Sequence, residues 1–125
     1  MSSAIRVFAV TGVFLRLFSA SAQETRSMIY GHVYDAQKAA VTGANVVIRN
    51  VDTNVSGRLK TNETGYYEAN LLLPGGYEVS ADAPGFQKYT RAGFTLSVST
   101  RMEIDVELRV GSVTDTVTVT AEAPI

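Results

Sequence analysis

The chain has 125 residues, a formal net charge of −1 and no cysteine. That length holds one domain with tails, and the charge points to neither nucleic acid nor an anionic membrane surface. The missing cysteine removes disulfides, thiolate zinc sites and cysteine nucleophiles together. A small domain without disulfides buries only about 60% of its unfolded surface, so it depends on an efficient core.

Residues 1–22 read as a secretory signal peptide. Arg6 supplies a positive start, residues 7–15 are apolar, and Ala20-Ser21-Ala22 forms an A-x-A cleavage site before Gln23. The apolar run is shorter than the roughly 20 residues a membrane-spanning helix needs. Cleavage removes Arg6 and Arg16, leaving 9 basic against 12 acidic residues, a formal charge of −3.

The first strand is expected over residues 28–35, with Ile29, Gly31 and Val33 on one face and Tyr30, His32 and Tyr34 on the other. A loop through residue 43 leads to a second strand over 44–50, with Ala44, Val46 and Ile48 facing inward. Residues 55–61 form a polar strand suited to a sheet edge, where Arg58 and Lys60 discourage pairing with another chain. Residues 62–65 are a polar bend ending in glycine. Strands over 66–72 and 77–83 follow, read as a hairpin closed at Pro74-Gly75-Gly76, because proline fixes φ and glycine supplies reversals. In the second of these, Tyr77, Val79 and Ala81 point inward, and Glu78, Ser80 and Asp82 point to water. Tyr67, Tyr77 and Phe86 are expected in the core.

Residues 87–96 form a strand with a bulge at Gly93. Residues 101–110 show the cleanest alternation: Met102, Ile104, Val106, Leu108 and Val110 against Arg101, Glu103, Asp105, Glu107 and Arg109. That period of two marks a half-buried strand, expected to be antiparallel. Seven short strands with frequent turns and no amphipathic helix predict an all-β, seven-stranded antiparallel β-sandwich.

Catalysis finds little footing. His32 is the sole histidine, on an outward strand face: every Ser-His-Asp arrangement would need it as base, no G-x-S-x-G accompanies it, and one histidine without a neighbouring cysteine is not a metal site. Glu103, Asp105 and Glu107 share one face about 7 Å apart, read as a solvated face between Arg101 and Arg109. No catalytic, metal or cofactor residue is expected. Tyr30, Tyr34, Tyr66 and Tyr89 are the candidates for an aromatic binding face, since aromatic rings stack on sugars and on partner proteins. The tail, residues 111–125, carries a Thr/Val alternation with little to bury, which suits a strand lent to a partner's sheet.

The spacing Gly65-x-Tyr67-x-Ala69-x-x-Leu72-x-Pro74-Gly75-x-Tyr77, followed by Ala83-x-Gly85-Phe86, resembles the carboxypeptidase regulatory-like domain. Upstream, Gly31-x-Val33-x-Asp35 and Gly43-Ala44-x-Val46 resemble that family's first two strands. The resemblance implies a transthyretin-like (prealbumin-like) sandwich without catalytic activity, and the zinc ligand motif of the related carboxypeptidases is missing. Asp115, Thr116, Val117, Thr118, Val119, Thr120 and Ala121 resemble a TonB box, the segment that pairs with TonB in outer-membrane transporters. The order of these parts resembles the start of an Oar-like TonB-dependent receptor. It implies a signal peptide over 1–22, a sandwich over 27–110 and a linker with the box over 111–125. It also implies TonB and the receptor's own plug and barrel as partners, at the periplasmic face of the outer membrane. The second expectation is a free-standing secreted module that binds carbohydrate or protein.

Overall fold

The structure is a computed structural model that describes residues 26–112 and 116–120, with the lone position 12. The expected signal peptide otherwise lies outside the described residues, as do Asp115 and Ala121. Alternating apolar and polar side chains, cut by Gly, Pro and Asn turns, give nine strands among the described residues: β1 (Ser27–Tyr34), β2 (Asn45–Asn50), β3 (Ser56–Lys60), β4 (Tyr66–Leu72), β5 (Gly75–Asp82), β6 (Lys88–Leu96), β7 (Arg101–Glu103), β8 (Val106–Glu107) and β9 (Thr116–Thr120). They form two sheets, one in the order β4-β1-β7 with β8 also beside β1, the other in the order β3-β2-β5-β6-β9.

The core lies between them. Ile29, Val33, Tyr67, Ile104, Val106 and Leu108 of the first sheet meet Val46, Ile48, Tyr77, Val79, Phe94 and Leu96 of the second, all buried. Each large apolar side chain contributes about 1.5–3 kcal/mol on burial. The expected inward faces of the first two strands hold, with Ile29, Gly31 and Val33, then Ala44, Val46 and Ile48, all buried. β3 takes its expected edge position, and β6 its expected bulge: Tyr77 pairs with Phe94 and Val79 with Arg91, leaving an extra residue on β6 where Gly93 sits at φ 77°.

Several expectations are corrected. β4 and β5 do not pair as a hairpin: β4 bonds to β1 in one sheet, and β5 to β2 and β6 in the other. Turn chemistry marks where a chain reverses but not which sheet it enters. The crossing is anchored by the β2–β3 turn, where the Gly76 N–H donates to Asp52 Oδ2 at 3.0 Å and the Val51 N–H to the Gly76 carbonyl at 2.9 Å. Gly75 has φ 148°, and a Cβ there would lie 2.8 Å from Asp52 Oδ2.

The sandwich is mixed rather than wholly antiparallel. β7 and β8 run parallel to β1, and β9 runs parallel to β6. A half-buried strand has period two in either direction, so alternation is silent on polarity. The expected single strand over 101–110 is broken at Ile104–Asp105, and Val110 is 83% exposed instead of inward. Ser80, expected to point to water, is buried on β5, the middle strand of the five, which β2 and β6 flank along both edges. Phe86 is only partly buried against the core, while Phe94 fills it.

Candidate functional site

The Thr/Val tail forms β9 at one edge of the five-stranded sheet. Its residues pair in register with β6, from Thr116 opposite Lys88 to Thr120 opposite Ala92, and the β6 bulge begins at the next residue. Only Val117 is half-buried; Val119 is 40% exposed, and the three threonines face solvent. Backbone hydrogen bonds therefore hold this strand, with little apolar burial behind them. Its outer edge carries no charge, proline or glycine between Thr116 and Thr120, unlike the β3 edge with Arg58 and Lys60.

Tyr30 and Tyr34 of β1 and Tyr66 of β4 share the outer face of the other sheet. His32 lies among them, opposite Tyr66 in register with ring centroids 5.3 Å apart. The Tyr66 hydroxyl donates to Glu68 Oε2 at 2.9 Å, and this bond to the neutral phenol pushes its pKa up. Cations top the other rings: Lys38 Nζ lies 4.4 Å from the Tyr34 centroid, and the Arg101 guanidinium 5.7 Å from that of Tyr30. Tyr89 is not part of this face. It stands opposite buried Ala81 on β6 and packs against the core, where burial pushes its phenol up. Sequence spacing placed Tyr89 with the others because a tyrosine on a strand carries no mark of which sheet face it takes.

Asp105 is more than a solvated carboxylate. The His32 N–H donates to its Oδ1 at 2.9 Å, and the His32 Nδ1 lies 3.9 Å from the same oxygen. Among the described residues, no three His, Asp or Glu side chains are grouped to hold a metal.

Sequence reasoning missed a cleft of ≈600 Å³ on the open side of the sandwich between β3 and β4. Its only signal was Leu71-Leu72-Leu73, three consecutive apolar residues that a period-two strand cannot bury together. Leu71 and Leu73 are 60% and 55% exposed there.

These features define a small all-β sandwich with exposed strand edges, an aromatic outer face and an apolar cleft. The family model of the carboxypeptidase regulatory-like domain matches residues 28–109, and the chain belongs to that family. No curated protein matches the chain. Solved structures share the fold. A catechol 1,2-dioxygenase from Acinetobacter is 11% identical with a TM-score of 0.57, over 75% of this chain and 55% of the enzyme. A putative carbohydrate binding protein from Bacteroides uniformis is 19% identical with a TM-score of 0.51, over 66% of this chain and 41% of that one. The minor pilin of Streptococcus agalactiae is 12% identical with a TM-score of 0.55, over 70% of this chain and 46% of the pilin. The chain thus spans about half the length of these proteins, and at such identities the likeness is one of fold.

Proposed function

We propose that this chain is the exported, non-enzymatic N-terminal extension of a TonB-dependent outer-membrane transporter, standing on the periplasmic face of the outer membrane. The sandwich serves as a folded spacer and docking module beside the plug and barrel, and residues 115–121 contribute a strand to TonB. The observation behind this reading is β9, a T-V-T-V-T strand just after the family domain, bonded through its backbone with most side chains exposed. A partner's sheet offers such a segment equivalent hydrogen bonds.

Val117→Pro removes one ladder donor. The variant is expected to lose capture by the purified periplasmic domain of TonB while the sandwich unfolds at an unchanged midpoint. Unchanged capture would sink the reading.

The outer face favours a second reading, a module that binds carbohydrate through Tyr30, Tyr34 and Tyr66 beside His32. Sugar titration would then quench tyrosine fluorescence, and Tyr30→Ala or Tyr66→Ala would abolish the effect. No quenching with any sugar removes this alternative.

A further inference from the structure

The cleft between β3 and β4 lies apart from β9, with β3 at the opposite edge of the same sheet. Its floor is built by Ile48, Ala69 and Tyr77, all buried, and its rim carries Val55, 68% exposed, with Leu71 and Leu73. Ala69 is the smallest of the floor residues, so space remains above it. On the β4 side the ladder with β1 slips: Ser27 pairs with Leu72 but Ile29 with Ala69, and Leu71 sits at φ 58°. A leucine in the left-handed region is a strained position. The bulge leaves the β4 side irregular, and Arg26 Nη1 already donates to the Leu71 carbonyl at 3.3 Å.

The β3 side is different. β3 pairs with β2 in unbroken register from Asn45–Lys60 to Arg49–Ser56, and no strand covers its other edge among the described residues. That edge presents a regular row of unpaired backbone donors and acceptors. Half-buried Leu59 packs against the core, while Arg58 and Lys60 are exposed, Arg58 at the margin of the cleft. Neither cation makes an ion pair among the described residues. The acid at the cleft, Glu68, is engaged by the Tyr66 hydroxyl and by Asn70 Nδ2. A strand added to β3 would drop alternate side chains into the apolar cleft and set the others beside Arg58 and Lys60. Apolar residues suit the first set and carboxylates the second, since opposite charges across neighbouring strands attract. A second copy of β3 would instead set cation against cation.

We propose that this cleft binds an extended peptide of alternating apolar and acidic residues, added as a strand along the free edge of β3. The test titrates the full chain with a fluorescein-labelled E-V-E-V-E-V-E peptide, its lysine counterpart K-V-K-V-K-V-K, and the non-alternating E-E-E-E-V-V-V. Saturable binding of the first, at least tenfold tighter than of either control, is expected. Ala69→Phe fills the floor, and Arg58→Glu with Lys60→Glu inverts the edge without touching the core. Each change is expected to weaken binding tenfold or more, and the exposed pair keeps the test open if Ala69→Phe fails to fold. Amide exchange should slow over Ser56–Lys60 and stay unchanged over Thr116–Thr120. Equal binding of acidic and basic peptides overturns the proposal, as does indifference to the charge inversion. Binding of palmitate with none of the acidic peptide also overturns it, and would assign the cleft to an amphipathic small molecule.

Discussion

The Asp105 carboxylate stands in the backbone ladder of the first sheet, its Oδ1 accepting the His32 N–H at 2.9 Å where a strand carbonyl would serve. The neighbouring Ile104 carbonyl turns instead to the Tyr67 hydroxyl, 2.5 Å away. It does so over Gly31, whose hydrogen leaves room that a Cβ would fill against that oxygen. Five residues thus explain why β7 and β8 are two strands rather than one. The chain resumes beyond the break, where the Leu108 N–H donates to the Tyr34 carbonyl at 2.8 Å.

This exchange separates Asp105 from its acidic neighbours. Asp105→Ala leaves the His32 N–H to water in the half-exposed gap between β7 and β8, and an expected loss of about 1 kcal/mol follows. Glu103→Ala, on the same face but without such a bond, should stay within about 0.5 kcal/mol of the parent. Urea unfolding of both variants checks the difference; equal midpoints would return Asp105 to the role of a solvated charge.

The same residues show what the sequence could and could not disclose. Alternation over 101–110 located the buried set Ile104, Val106 and Leu108, because burial of every second residue is a local property of an extended chain. Polarity, sheet membership and the break depend on Tyr67 and Gly31 meeting Ile104, and His32 meeting Asp105, across 37 to 73 positions of sequence, of which no local pattern speaks. The crossing at Pro74-Gly75-Gly76 had the same blind spot. So did the functional surfaces: the Thr/Val composition of β9 was legible, while the cleft exists only because two strands remote in sequence leave their edges side by side.

Tyr67 links the fold to alkaline pH. Burial pushes its phenol well above the ordinary value of 10.0, with Asp105 adding to the rise. A phenol that holds its proton more tightly when folded contributes stability that is fully present below pH 10.0 and lost as pH climbs toward the folded value. Tyr67→Phe should therefore cost about 1–3 kcal/mol at neutral pH, through the lost hydroxyl–carbonyl bond. The gap between variant and parent should narrow as pH rises past 10.0. Unfolding midpoints measured across that range decide it; a gap that stays constant would mean the buried phenol ionises no differently from one in the unfolded chain.

Tyr77 within β5 and Phe86 just beyond it should respond unequally to truncation. Tyr77 is buried, and its hydroxyl donates to the Leu73 carbonyl at 2.7 Å, which also ties down the crossing between sheets. Tyr77→Ala is expected to cost about 3–5 kcal/mol, a large part of the stability of a domain this small. Phe86 only leans on the core, so Phe86→Ala should cost about 1–2 kcal/mol. Thermal unfolding that ranks Phe86 equal to Tyr77 would contradict this assignment of the core.

β9 should be the least stable strand of the five-stranded sheet. Its side chains bury little, and its bonds run to a single neighbour, so detaching it exposes scarcely any apolar surface. Local opening of such an element requires far less free energy than global unfolding. Backbone amides of Thr116–Thr120 are thus expected to exchange hydrogen much faster than those of β2 and β5, which lie in the sheet interior. Val119→Gly should speed that exchange further while leaving the global midpoint within about 0.5 kcal/mol of the parent. If β9 instead exchanges only with global unfolding, the strand is an integral part of the sandwich. It could then reach a partner's sheet only through its outer edge, without leaving β6.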